Sequence, residues 1–441
     1  MLRNYSLFIS ILIVVFFSAC ESPKKGDEQE EKISLPVADT DNGGIQLGDG
    51  FGAMVVADEL GNAGHLVVDD EGDIYVKIRR VKKGEGNGSI IAMRDADGDG
   101  KMDEKLGFGD YSGTGIDIQG NYLYTSSDIE VFRYKLAPGQ LMPDTSSKES
   151  LISGFPEQNQ HASKTFTFDK NNNIYVNIGA PSNACQEKMR QVGSPGIDPC
   201  PQLEWQAGIW RFNAQEPGQS LKANGYRYAT GIRNAMALDW NMQSDGLFAL
   251  QHGRDDLHRL AEKYYSTKDN EVLPAEEFLQ IDKDDDFGWP YCHFDQFKGE
   301  KMLNPEYGGD REQQGRCADA KKPIFGFPGH LAPNDLIFYK GDQFPAKYKN
   351  GAFIAFHGSW NRAPEPQAGY FVVFVPMNEG KITGEWEVFA EGFPQVDTVK
   401  STRDAVYRPV GLAEGPDGSL YISDSRKGRI WRIMYYGLKE V

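Results

Sequence analysis

Cysteine is scarce in this sequence. Only five occur, no two are spaced Cys-x-x-Cys, and no Cys-x-x-Cys-His run is present. That spacing excludes paired-thiolate zinc sites and a covalently attached c-type haem. Positive charge is short as well: 47 Lys and Arg face 64 Asp and Glu, a formal charge of −17. A chain this acidic lacks the basic stripe that a phosphate backbone requires, which argues against nucleic acid as a partner. Beyond the N-terminus no apolar run approaches the ~20 residues of a membrane helix. What is abundant is glycine, 49 of 441 residues, alongside 39% hydrophobic and 12% aromatic content. These suit a turn-rich β protein with a sizeable core, in one large closed domain or two smaller ones.

The first twenty residues read as a targeting segment. Arg3 gives a positive start, Leu7 to Phe17 an apolar run, and Phe17-Ser18-Ala19-Cys20 ends it. Small residues before a cysteine resemble a bacterial lipoprotein cleavage site, with Cys20 as the lipidated first residue of the mature chain. The segment is no part of the fold. Residues 21–48 are charged, glycine-rich and poor in aromatics, and read as a flexible linker. The folded domain is expected over 49–441. The reading is of an exported protein held on the bacterial cell envelope by its lipid alone.

Arg408 to Ile433 reads as three short strands, Gly411 to Glu414, Ser419 to Asp424 and Arg429 to Ile433, with Pro416-Asp417-Gly418 turning between the first two. Proline fixes φ and glycine accepts positive φ, so the tripeptide is suited to a tight turn. The same meander recurs at His65 to Ile78, Gly115 to Leu136, Thr165 to Gly179 with Gly208 to Asn213, Ala235 to Gly253, and Leu336 to Ser359. A three-stranded meander cannot bury both faces alone. Six separated copies predict an all-β fold, a six-bladed β-propeller with four-stranded antiparallel blades, closed by a strand donated from near Phe51.

Export makes the other four cysteines legible, because an even number in an oxidising compartment implies disulfides. Cys185 with Cys200 and Cys292 with Cys317 would each staple a polar insert, whereas the other pairings need contacts across the molecule. Asp95, Asp97 and Asp99, in the run Asp95 to Asp103, carry oxygen ligands at EF-hand-like spacing. An EF-hand loop needs an acidic twelfth residue, and Leu106 stands there. The run reads as a solvated turn or a peripheral Ca²⁺ site.

Aligning the repeats by their first strands brings out the chemistry. Just before those strands stand His65, Gln160-His161, Arg233-Asn234, His330 and Arg408. Such positions lie at one end of a propeller, where blades converge. A ring with two arginines and an imidazole suits an anionic ligand and proton transfer. Each residue taken alone has a plainer reading, as a satisfied hydrogen-bonder or a surface ion pair; the shared structural phase is what singles them out. Gln251 to Leu260 adds carboxylates and a glycine turn. Phe356 to Arg362 adds a His, an indole, an amide and a guanidinium. In Asp286 to Cys292, Trp289 could cover a flat cofactor or a sugar ring, or simply pack.

Taken together, GTGIDI, NQHASKTFTF, GIRNAMALDW, DFGWPYC, FHGSWNR and YRPVGLAEGPDGSLYISD resemble the PQQ-dependent glucose/sorbosone dehydrogenases, exported six-bladed propellers, over about Phe51 to the C-terminus. The resemblance implies PQQ and Ca²⁺ as cofactors. It casts His161 as the base that takes the proton from a sugar hydroxyl while hydride passes to the quinone. It places Arg233 and Asn234 beside the quinone oxygens and gives a PQQ carboxylate to Arg408, with Arg362 as a second. The turn at Gly253 and Arg254 would bind Ca²⁺ through its carbonyls. Gln160 and Trp289 are the expected substrate contacts. The glucose enzymes carry a carboxylate immediately before the base, and Gln160 stands there instead, which points away from glucose.

The expected activity is therefore oxidation of a sugar or related aldose, with electrons leaving to a separate acceptor because the chain has no haem motif. A Ca²⁺-dependent sugar lactonase would need an acidic metal cage in the central channel. A propeller that binds glycans or proteins without catalysis would show no absorbance change with PQQ and Ca²⁺.

Overall fold

The second strand of each repeat is largely apolar or small, and in the structure it is buried at all or all but its first position: Ile74–Ile78, Gly246–Gln251, Ala352–Phe356 and Leu420–Asp424 are cases. A strand covered on both faces needs no polar alternation. Outer strands do alternate or open to solvent, as at Glu104–Phe108 and Asp144–Ser153. The protein, a computed structural model describing residues 1, 35–80 and 88–438, is a six-bladed β-propeller. Among the described residues no helix is long and apolar enough to cross a membrane.

The innermost strands are, in chain order, Ala63–Val68, Ile116–Gln119, Phe166–Phe168, Ala237–Asn241, Pro333–Phe338 and Pro409–Glu414. Each touches the next, and the last touches the first, so the ring closes. Apolar side chains fill slabs between neighbouring blades. Tyr124, Phe168 and Trp210 pack between the second and third, and Phe248, Phe338 and Ile354 between the fourth and fifth. Carboxylates tie the blades at the axis. Asp239 accepts the Phe338 N–H at 3.0 Å and Asp335 accepts the Leu412 N–H at 2.8 Å, each reaching the following blade.

The repeated turns share a mechanism. Asp69 accepts the N–H groups of Glu71 and Asp73 at 3.0 and 2.9 Å, and Asp169 those of Asn171 and Asn173, both at 2.8 Å. The left-handed position between them is Gly72 in one turn and Asn172 in the other, the two residue types that take positive φ most readily. In the last repeat the strands run Pro409–Glu414, Leu420–Asp424 and Ile430–Tyr435, within two residues of the expected bounds.

Closure comes from the N-terminal side, as expected: Phe51–Ala57 pairs antiparallel with Ile430–Tyr435 as the fourth strand of the last blade. Phe51 locks it, with its ring 4.9 Å from Phe344 and 5.1 Å from Phe389. Part of the linker expected over 21–48 belongs to the folded unit, which begins at Pro36. Gln46–Leu47 adds a fifth strand to the fifth blade, and Gly43 offers its carbonyl to the Trp431 indole at 3.1 Å. Its high polar content hid backbone pairing that needs no apolar side chains. The expected signal segment, with Cys20, lies outside the described residues. Two other blades gain a short parallel fifth strand, Gln219–Ser220 and Asp285–Asp286.

Both expected disulfides are present. Cys185–Cys200 closes an insert of the third blade and Cys292–Cys317 one of the fourth. The inserts pack on each other: the Cys200 N–H donates to the Tyr291 hydroxyl at 3.0 Å, the Tyr307 hydroxyl to Ala184 O at 3.1 Å, and the Gly196 N–H to Glu306 O at 2.9 Å.

Candidate active site

Antiparallel pairing puts the entry to a blade's first strand and the exit from its second at the same end. At that end a cavity of ≈ 630 Å³ opens on the axis. His161, Arg233, Asn234, His330 and Arg408, all placed there by the repeat alignment, line it. They come from four different blades.

His161 sits at φ 51°, a left-handed conformation rare outside glycine, and its Nδ1 lies 2.6 Å from Ala180 O. Nδ1 therefore carries the proton and donates it, leaving Nε2 as an acceptor. The loop is clamped by Gln158, whose Nε2 donates to the carbonyls of Gln160, His161 and Gly179 at 2.7, 2.9 and 3.0 Å. Gly179 is required by the close approach of the site residues. A Cβ there would stand 2.6 Å from His161 Cβ and 2.7 Å from Asn234 Oδ1. Burial, with Arg233 beside it, lowers the His161 imidazole to about 3, so it is neutral near pH 7.

Arg233 is buried. Its Nη1 donates to Gly253 O at 3.0 Å, and its Nη2 to Asn183 Oδ1 at 3.1 Å and Asp255 Oδ2 at 2.7 Å. Its Nε has no partner among the described residues. Burial alone would raise the Asp255 carboxyl, but Arg233 and Arg190 beside it hold it well below the usual carboxylate range. Asn234 accepts from Asn177 Nδ2 at 3.2 Å through its Oδ1. Arg408 has its N–H bound to Asp424 at 2.6 Å, and its guanidinium Nε donates to His357 O at 3.1 Å. Burial lowers it to about 10, so it stays cationic at neutral pH.

Other expected residues lie elsewhere. His65 falls inside the strand Ala63–Val68 rather than before it, with its Nε2 2.7 Å from Asn334 O. It lines a second axial cavity, of ≈ 870 Å³, together with Asp117, Asp239 and Asp335. Gln160 is outside the lining of the first cavity and turns its amide to Met189 Sδ at 3.2 Å. Trp289 is 3% exposed and donates its indole N–H to Asn183 O at 3.0 Å, so it braces the residue that holds Arg233. Arg362 binds Glu271 and the Pro366 carbonyl and is not a lining residue. Gly253 lines the cavity. The Arg254 side chain instead pairs with Glu306, at 2.7 Å for its Nη2. The carboxylate oxygens of Asp95, Asp97 and Asp99 converge to within 4.8 Å in the hairpin between Ile90–Arg94 and Glu104–Phe108, and none lines the cavity.

The repeat alignment missed Arg79, His252 and His357, which also line the cavity. Each stands one residue beyond a second strand, after Ile74–Ile78, Gly246–Gln251 and Ala352–Phe356. Gly179 occupies the same phase after Asn173–Ile178. Aligning the ends of second strands, as well as the starts of first strands, would have found them. Asp255 lies in the fragment Gln251 to Leu260, whose carboxylates the sequence brings out without a role, whereas Glu276 carries no such signal. Glu276 accepts the N–H groups of Gly253 at 2.8 Å and Ala332 at 3.0 Å, and burial raises its carboxyl to about 7.

The lining carries the guanidinium groups of Arg79, Arg80, Arg233 and Arg408. Against them stand the carboxylates of Asp128, Asp255 and Glu276; with Asp255 paired to Arg233, Glu276 raised to about 7 and the His161 imidazole neutral, the balance favours an anion. The Arg233 Nε–H, buried and without a partner among the described residues, is an unspent donor. These features fit a flat polycarboxylate such as PQQ. For a divalent cation the lining offers the Gly253 carbonyl, which has a second lone pair beyond its bond to Arg233, and the carboxylates of Asp128, Asp255 and Glu276.

The sequence profile of the TrAA12-like family matches residues 45–436. An uncharacterized protein of Borreliella burgdorferi is 26% identical over 338 residues, 73% of this chain and 75% of that protein. The PQQ-dependent pyranose dehydrogenase of Coprinopsis cinerea is 30% identical over 172 residues, 33% of this chain and only 22% of that enzyme's length. The holo PQQ domain of Coprinopsis cinerea pyranose dehydrogenase superposes with a TM-score of 0.70 at 20% identity, covering 88% of this chain and 97% of that one.

Proposed function

The chain belongs to the TrAA12-like family, and on that premise we propose that it is a PQQ-dependent sugar dehydrogenase whose base is His161. The observation that carries the proposal is the His161 imidazole. It is fixed as the Nδ1–H tautomer by Ala180 O and shares one cavity with Arg233, Asn234 and Arg408. Bound in that cavity, PQQ supplies a two-electron acceptor, and Ca²⁺ at the Gly253–Asp255 turn a Lewis acid beside it.

This chain's residues do the rest. Arg408 and Arg79 hold carboxylates by charge-assisted bonds. Arg233 and Asn234, on the same lining, would orient the ligand. His161 Nε2 accepts the proton of the sugar hydroxyl as hydride leaves the same carbon. The Nδ1–H bond to Ala180 O stabilises the imidazolium that forms. Asp255, through Arg233, and Glu276, through the Gly253 N–H, keep the turn in place. The protein is exported and held at the cell envelope by a lipid on Cys20, and passes electrons to a separate acceptor.

The test is dye reduction over a panel of sugars with PQQ, with and without Ca²⁺, for the parent, His161→Ala and Arg408→Ala. His161→Ala should lower kcat by about 10²–10⁴ and still bind PQQ, read as a change in its absorbance. Arg408→Ala should instead weaken PQQ binding. Activity of the His161 variant equal to the parent's on every sugar would remove the base from the proposal. No absorbance change of PQQ with the parent protein would remove the cofactor.

A further inference from the structure

The chain has seven tryptophans, and Trp360 is the most exposed among the described residues. Trp210, Trp240, Trp289 and Trp431 are buried, Trp205 and Trp386 half-buried, whereas Trp360 is 53% exposed. It lines the rim of the cavity that holds His161 and Arg233. At the mouth of a polar cavity its indole offers an entering ligand both an apolar ring face and an N–H donor.

Its neighbours hold it still. Asn361 is buried, accepting the Asp256 N–H at 3.3 Å and receiving Asn270 Nδ2 on its own carbonyl at 2.6 Å. On the other side Gly358 sits at φ 79° against the Tyr370 ring, too close for any Cβ. The Tyr370 hydroxyl donates to Ser359 O at 3.3 Å. Over one face of the indole, 5.6 Å from its centroid, lies the Arg190 guanidinium, which is itself bound by Asp255 and Asp256. The indole N–H has no protein acceptor among the described residues. The backbone and one ring face are thus fixed, while the rest of the indole opens to the mouth.

We infer that Trp360 is the stacking platform of an outer pyranose subsite, which takes the sugar ring next to the one that reacts. The apolar C–H face of a pyranose lies on an indole, and the free indole N–H can donate to a ring hydroxyl. The inner space is reserved for the cofactor and the reacting ring beside His161, so a rim aromatic meets the following ring. The substrate class this selects is a reducing disaccharide or longer oligosaccharide in preference to a monosaccharide. The inference rests on the sugar-oxidation reading above.

The experiment uses the full chain in two arms. In the first, calorimetry measures binding of a non-oxidisable methyl disaccharide glycoside to the parent, Trp360→Ala and Trp360→Phe. The alanine variant should bind about tenfold more weakly, and the phenylalanine variant should recover most of the loss. In the second, the PQQ-loaded proteins oxidise a disaccharide and its component monosaccharide. Trp360→Ala should raise KM for the disaccharide about tenfold, with a much smaller effect on kcat and on the monosaccharide. If the parent oxidises sugars but Trp360→Ala alters neither glycoside affinity nor disaccharide KM, the subsite is refuted and the activity stands. If the glycoside binds through Trp360 but no sugar is oxidised, the subsite stands and the dehydrogenase reading falls.

Discussion

Replacing Glu306 by Gln removes the partner of a guanidinium that has almost no access to water. The side chains of Arg254 and Glu306 are 2% and 3% exposed, and they meet through two parallel bonds. Taking one charge from a buried pair strands the other, at a cost of about 3–5 kcal/mol. For a typical domain stability of about 5–15 kcal/mol that is a large fraction. The damage should spread, because Arg254 lies in the turn whose Gly253 carbonyl and Asp255 carboxylate hold Arg233. Urea unfolding followed by circular dichroism, with both disulfides intact, should show Glu306→Gln destabilised by that amount, and PQQ affinity should fall with it. The double variant Arg254→Met/Glu306→Leu removes both charges and keeps most of the volume. It should return to within about 1 kcal/mol of the parent, since a buried ion pair contributes little net stability over apolar packing. A Glu306→Gln loss below about 1 kcal/mol, or a double variant as unstable as the single one, would refute the reasoning.

Two further outcomes follow from buried groups. Lys77 is fully buried, donating to Tyr111 O at 2.6 Å, and burial lowers its ammonium to about 7. The unfolded chain keeps that proton to about pH 10.4, so between pH 7 and 10 it binds more protons than the folded one and stability rises with pH. Between pH 7 and 9 this group should add about 2 kcal/mol; Lys77→Met should be more stable than the parent at pH 7, with the gap closing by that amount at pH 9. An equal gap at both pH values would show that Lys77 does not titrate there. Gly179→Ala places a Cβ against His161 and Asn234. Thermal unfolding should register about 1–3 kcal/mol of overpacking, with turnover falling much further than stability because the proposed base is displaced.

The architecture was legible in the sequence because a propeller blade is a local object. The turn at Asp169 with Asn172, the buried second strands, and the bracketing of each disulfide within one insert are all set by residues close together in the chain. Much of the site was legible for the same reason: His161, Arg233, Asn234, His330 and Arg408 share a phase relative to strands that repeat, and rotation about the axis turns that phase into proximity. Where an expectation depended on what a side chain would face, the sequence was silent. Trp289 and Arg362 belong to loops beside the site, yet one braces Asn183 and the other pairs with Glu271, because each found a partner from another blade or insert. The position of His65 within a strand rather than before it sent its ring to the other axial cavity. Asp255 was drawn to the rim by Arg190 and Arg233, and Trp360 was left exposed there, by packing among loops far apart in sequence. Periodicity encodes which residues reach one end of the ring. Only the folded chain decides which of them turn inward, since that depends on partners supplied by other loops.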